Sequence, residues 1–338
     1  VAFSPYESQV LTGAWDNTAK LWDIATGTTV FTFSGQTSYV FSVAFSPNGK
    51  QVLTGALDGK AKLWNAETGG PAIRTFSGHT GGVTSVAFAP SGAQVLAGSW
   101  DDTAMLWNTD TGAIDRTLSG HSGDVLSVQF SLDGATIVTA ADDQLVKLWD
   151  AETGENVRDI LGHTAAVYAV AVSPDGTRVL TGSDDTTARL WNSETAVEIR
   201  SFTGHTDIVA AVAFSPVSPR VLTGSQDGTA KLWNTETGGL VRTFTGHANG
   251  INAVAFSPDG QFVLTGSSDN TAMLWDADLG GPALKTFAGH SNKVNAVAFS
   301  PDGNFVLTGS QDMTAKVWEI ETGTSINTYS GHTNSILA

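Results

Sequence analysis

Short apolar runs alternate with turn residues along the whole chain. Residues 246–287 show the pattern most clearly. In 251–256, Val254 and Phe256 alternate with Ala253 and Ala255, the two-residue period of a strand. Ser257-Pro258-Asp259-Gly260 follows as a turn, with proline fixing φ and glycine accepting φ > 0. A second strand is expected over 262–265, a turn at Ser268, Asp269 and Asn270, and a third strand over 271–275. After a glycine-rich loop, a fourth strand is expected over 284–287. Connections of this length make hairpins. No window holds an apolar repeat at helical spacing, so an all-β chain is predicted.

The unit recurs from end to end. A Trp preceded by Leu or Val falls at Trp22, Trp64, Trp107, Trp149, Trp191, Trp233, Trp275 and Trp318, in steps of 42 or 43 residues. A fixed period in this range marks a repeat architecture. The two longer steps are explained by Gly69-Gly70-Pro71 and Gly280-Gly281-Pro282, placed between the third and fourth strands of their units.

Gly-His opens the units at His79, His121, His163, His205, His247, His290 and His332, and Trp-Asp or Trp-Asn closes most of them. With this period, the chain resembles the WD40 family over its whole length. The resemblance implies a single eight-bladed β-propeller with four antiparallel strands per blade. It also implies a hydrogen-bonded tetrad in each blade: the Gly-His histidine, a Ser or Thr of the second strand, an Asp of the next turn, and the Trp. Carried over by position, these are His121, Thr139, Asp143, Trp149; His163, Thr181, Asp185, Trp191; and His205, Thr223, Asp227, Trp233. Two more are His247, Thr265, Asp269, Trp275 and His290, Thr308, Asp312, Trp318. The second unit departs with Gln36 beside Thr54, Asp58 and Trp64. The third departs with Ala97 beside His79, Asp101 and Trp107. Both blades are expected to be less tightly tied, since a lost buried partner costs about 1–3 kcal/mol.

Thr12, Asp16 and Trp22 have no upstream histidine. The C-terminal GHTNSILA joined to the N-terminal VAFSP matches GHTAAVYAVAVSP at 162–174, so His332 is assigned to this first unit. Residues 333–338 and 1–4 together are expected to form the inner strand of the first blade. A cut inside an inner strand is unusual for such rings, and the chain is equally compatible with a piece of a longer protein or array.

Composition narrows the function. The chain has 338 residues and a net charge of -16, with acids spread through every unit. That argues against nucleic acid and suits a basic partner. Without cysteine there is neither a disulfide framework nor a thiolate metal site. No apolar run is long enough for a membrane helix. A soluble protein, with the cytoplasm the favoured compartment, is expected. All seven histidines sit in Gly-His, and the pairs Asp101-Asp102, Asp142-Asp143 and Asp184-Asp185 read as one tetrad carboxylate beside a solvated neighbour. No metal, cofactor or catalytic residue is expected.

Function is then sought where the units differ. The resemblance places three positions per unit on the Gly-His side of the ring. Before each tetrad Asp stand Trp15, Leu57, Trp100, Asp142, Asp184, Gln226, Ser268 and Gln311. After the first Val or Ile of the inner strand stand Leu337, Phe41, Thr84, Leu126, Tyr168, Ala210, Asn252 and Asn295. Two residues earlier stand Ser335, Tyr39, Gly82, Asp124, Ala166, Ile208, Gly250 and Lys293. Trp15, Tyr39, Phe41, Leu57, Trp100, Leu126 and Leu337 therefore form an apolar, aromatic sector on blades one to four, with Tyr168 beside it on blade five. A non-catalytic scaffold or sensor module binding a protein or peptide there is the leading expectation, the partner being basic with an apolar anchor. A structural protein that associates with itself is the alternative. An enzymatic or small-ligand propeller is less well supported.

Overall fold

The computed structural model describes residues 1–6 and 8–338. Among them are eight four-stranded antiparallel sheets, each with its strands in sequence order, and no helix. The sheets are the blades of an eight-bladed β-propeller.

Burial within one blade shows why the sequence folds this way. The inner strand of the sixth blade, Val209–Phe214, is partly exposed toward the central channel. In the second strand, Arg220–Ser225, all but the first residue are buried, because neighbouring blades cover both faces of the sheet. The third strand, Ala230–Asn234, buries Ala230, Leu232 and Trp233. The outer strand, Leu240–Phe244, buries only Phe244. Second strands are therefore continuous apolar or small runs, and outer strands are mostly polar. Glycine in the second strand lets the next blade come close. A Cβ on Gly224 would lie 2.5 Å from Val254 and 2.8 Å from Ile251.

The core is divided into clusters that join consecutive blades. One packs Leu222, Ala230, Leu232 and Phe244 of the sixth blade against Ile251, Val263 and Trp275 of the seventh. The closing cluster joins Leu307, Val317 and Tyr329 to Val10 and Trp22. In six junctions the marker Trp packs on an aromatic ring of the preceding outer strand, as in Phe202–Trp233 at 5.4 Å and Tyr329–Trp22 at 5.3 Å. Leu118 and Ile160 serve at the other two, before Trp149 and Trp191. No blade buries its faces alone.

At the seam, Ala2–Phe3 pairs with Val10 and Leu11. Ile336 bridges Ala14, and Leu337 N–H donates to Gly13 C=O at 3.1 Å. Residues from both ends thus lie along the inner side of the first blade.

The expected strand bounds need small corrections. In the seventh blade the strands run Phe262–Ser267, Thr271–Asp276 and Lys285–Ala288. The extra residue at Gly280-Gly281 enters the loop before the outer strand, which is shortened, as is Arg74–Phe76 after Gly69-Gly70.

Candidate functional site

Two layers of polar and aromatic groups meet on the Gly-His side of the ring. The deeper layer is a hydrogen-bond relay. In the sixth blade Trp233 Nε1–H donates to Thr223 Oγ1 at 3.0 Å, Thr223 Oγ1 lies 2.7 Å from His205 Nε2, and His205 Nδ1 lies 2.9 Å from Asp227 Oδ2. The Asp227 carboxylate can only accept, so the hydrogen of the neutral ring is on Nδ1 and Nε2 accepts from the threonine hydroxyl, whose oxygen accepts in turn from the indole N–H. Burial pushes the His205 pKa below its ordinary value against the pull of Asp227, which keeps the ring neutral near pH 7. Asp227 also accepts from Thr206 N–H, Thr229 N–H and Thr229 Oγ1. Burial works to raise this carboxyl, but donors led by the Thr229 hydroxyl hold it down at about 2.

The same contacts join His121 to Thr139 and Asp143, with Trp149 on Thr139. They join His163 to Thr181 and Asp185, with Trp191 on Thr181. They recur for His247, Thr265, Asp269 and Trp275, and for His290, Thr308, Asp312 and Trp318. In the first blade His332 reaches Thr12 and Asp16, each at 2.8 Å, and Trp22 donates to Thr12.

One participant was missed in the tetrad assignment: the threonine two residues after the Asp. Thr18, Thr103, Thr187, Thr229, Thr271 and Thr314 each place Oγ1 2.6–2.7 Å from Asp Oδ1. The signal was visible as Asp-x-Thr in six of eight units.

The two departing blades behave differently. Gln36 replaces the imidazole in function. With its amide turned to suit its neighbours, Oε1 accepts from Thr54 Oγ1 at 3.0 Å and Nε2 donates to Asp58 at 3.2 Å. Trp64 still donates to Thr54 at 3.0 Å. The expectation of a looser second blade is corrected accordingly. In the third blade the hydroxyl is absent at Ala97, and the buried His79 Nε2 and Trp107 Nε1 have no hydrogen-bond partner among the described residues.

The upper layer is built on a β-bulge in the inner strand. Register slips past Phe41, Leu126, Tyr168, Ala210, Asn252 and Asn295, and past Thr84 in the third blade. A bulge re-aims the extra side chain, here toward the mouth of the ring. A second contact draws in the other two positions. The N–H of the residue before each network Asp donates to the carbonyl two residues before the bulge: Trp15 to Ser335, Leu57 to Tyr39, Trp100 to Gly82, Gln311 to Lys293. All eight blades make this bond.

What the bulge residue does depends on its chemistry. Asn252 Nδ2 donates to Val294 C=O of the next blade at 2.9 Å, and Asn295 Nδ2 to Ile336 C=O at 2.8 Å. Thr84 Oγ1 reaches Val125 C=O at 2.6 Å, and Gln226 Nε2 reaches Ile251 C=O at 3.3 Å. Phe41, Leu126 and Leu337 have no donor to offer. The aromatic rings instead pair with one another. Trp15 stacks on Tyr39 at 5.1 Å, and Phe41 meets Trp100 at 5.6 Å. Trp100 lies over Gly82, where a Cβ would come within 3.1 Å of the ring and 2.5 Å of Leu57. Tyr39, Trp100 and Tyr168 are 37%, 42% and 42% exposed. Trp15, Phe41, Leu57, Leu126 and Leu337 are half-buried. Tyr168 makes no ring contact with the two pairs among the described residues. Beside this sector Asp124 is raised above its ordinary value, first by burial and then by Asp102 and Asp142. Among the described residues no three His, Cys, Asp or Glu side chains converge as a metal site, and no helix is long and apolar enough to cross a membrane.

A family model described as "WD domain, G-beta repeat" matches residues 1–23, 27–65, 70–108, 112–150, 154–192, 196–234, 238–276 and 281–319. Among solved structures, the crystal structure of the computationally designed Ika8 protein is similar at 35% identity and a TM-score of 0.84, covering 94% of this chain and 95% of that one. No curated protein matches the chain.

Proposed function

The chain belongs to the WD40-repeat family, and from that premise we propose that it is a non-catalytic scaffold that docks a protein or peptide on the aromatic sector of its Gly-His-side face. The carrying observation is the pair of aromatic contacts, Trp15–Tyr39 and Phe41–Trp100, each with one exposed ring, Tyr39 and Trp100, beside a half-buried one. Elsewhere on the face the corresponding polar residues are engaged with the protein's own carbonyls. Exposed, mutually ordered aromatic rings supply contact area at little entropic cost, as an interface hot spot requires. The relay beneath has the opposite character. Its histidine side chains are buried and tied to Asp, and in most blades to Thr, which suits architecture rather than acid–base work.

Capture from a lysate of the source organism tests the reading. Wild type is run beside a Trp15→Ala/Phe41→Ala/Trp100→Ala variant whose unfolding midpoint has been matched. Loss of a partner from the variant supports the aromatic sector as the working face. Identical retained proteins would refute it.

A further inference from the structure

The face carries charge as well as rings, and the two are arranged in sequence around its mouth. The aromatic pairs lie on blades one to three. An arc of carboxylates follows on blades three to five: Asp102, in the same turn as Trp100, then Asp124, Asp142 and Asp184. Asp142 N–H donates to Asp124 C=O at 2.9 Å, which sets those two residues side by side. Tyr168 closes the arc, with Asp184 and Asp142 both near enough to raise its phenol above the ordinary value, after burial. None of the four carboxylates has an ion-pair partner among the described residues. The protein's Lys and Arg ion pairs all lie elsewhere, at Lys50–Glu67, Lys147–Asp159, Arg189 with Asp185 and Glu198, and Arg220–Asp278.

We propose that this face takes a polypeptide segment bearing a cationic side chain beside an apolar one, the apolar group on the rings of blades one to three and the cation over the carboxylates of blades three to five. The inference rests on the reading that the aromatic sector is the working face, and it names the partner's chemistry. Asp124 lies close enough to Asp102 and Asp142 for the like charges to raise it, after burial, and an incoming cation relieves that repulsion. Trp100 and Tyr168 are exposed beside the arc, and indole and phenol faces attract guanidinium and ammonium groups. The face extends over five blades, which exceeds the reach of one side chain and calls for a chain with at least two anchors. Nucleic acid is excluded by the sign of the charge, and a second copy of this chain, also at -16, brings like charge to like.

The probe is an array of random-sequence, N-acetylated hexapeptides, read for binding of the intact ring. The strongest binders are expected to carry Arg or Lys close to Leu, Ile, Phe or Trp. For the best of them, replacing Arg by citrulline, or Lys by acetyl-lysine, should weaken solution binding by about tenfold or more, and added salt should weaken it further. An Asp124→Asn/Asp142→Asn/Asp184→Asn variant should lose a similar factor while keeping its unfolding midpoint. Binders without a cation, unchanged affinity in the Asn variant, or no binder at millimolar peptide would each overturn the proposal. The Trp15→Ala/Phe41→Ala/Trp100→Ala variant separates the two readings. If it abolishes binding while the Asn variant does not, the cation inference fails and the aromatic face stands. If neither variant affects binding, both fail.

Discussion

Blades one to five and blades six to eight share one scaffold and differ at its mouth. In both regions blades with a full Trp–Thr–His–Asp relay carry it under the turn, and on blades two to eight a bulge aims one side chain at the ring's opening. On blades seven and eight that side chain is Asn, and it ties its blade to a carbonyl of the next. On blade six the bulge holds Ala210, and Gln226 makes the tie instead. On blades two, four and five the bulge holds Phe41, Leu126 and Tyr168, and the opening gains apolar surface. On blade three Thr84 makes the same tie, to Val125 C=O, so the backbone device is spent on cohesion on blades three and six to eight and left available for contact on blades two, four and five. Repetition alone explains the relay; only the difference at the bulge asks for a function.

The largest expected effect attacks what the two regions share. Five relay histidines, His79, His121, His163, His205 and His247, have pKa values lowered in the folded ring, chiefly by burial. Asp101, Asp185 and Asp227 are held at about 2 by their donors against burial. Both groups bind fewer protons folded than unfolded, so both contribute stability that falls with pH. Unfolding midpoints should decline below pH 6.5 as the histidines charge, and steeply between 3.8 and about 2 as the carboxylates protonate. Midpoints that stay flat down to pH 3 would break the shared-scaffold half of the comparison.

Asp227→Ala comes next. It strips the carboxylate from His205, Thr229 and two backbone N–H groups, and a loss of about 3 kcal/mol is expected in urea unfolding. Ala97→Thr runs the other way. By giving His79 and Trp107 the hydroxyl they lack, it should stabilise the third blade by about 1–2 kcal/mol. No gain would mean that these two nitrogens are satisfied by some other route.

At the mouth the effects are smaller and of opposite sign in the two regions. Asn252→Leu should cost about 1 kcal/mol by leaving Val294 C=O without its donor. Leu126→Asn should gain up to about 1 kcal/mol by supplying a donor to the fifth blade. Equal responses would erase the distinction between a cohesive region and a contact region. Trp100→Ala, at a site 42% exposed, should change stability by less than about 1 kcal/mol.

Period, strand alternation and turn residues made the fold legible because each operates within a single unit. The eight units, the four strands in each and the loop position of the Gly69 and Gly280 insertions followed from local chemistry, while the blades of a propeller were implied by the WD40 resemblance. The features that escaped depend on geometry between units. Gln36 looked like a defect because its residue type differs from histidine, yet its amide spans the same two partners. Arg116 and Arg200 each donate to a turn carbonyl of the following blade, Glu152 and Glu236, a contact that no single unit encodes. Asn252 and Asn295 were placed on the face by sequence, but their bonds to carbonyls of the next blade depend on the fold. The Asp-x-Thr signal is present and local, but it lies outside the four-residue set that the WD40 resemblance implies.

Hydrogen exchange of the ring with and without its captured partner tests the central claim most directly. Slowed exchange confined to the segments around Trp15, Tyr39, Phe41, Leu57, Trp100 and Tyr168 is the predicted result. Protection centred on Gln226, Asn252 and Asn295, with the aromatic segments unchanged, would contradict it.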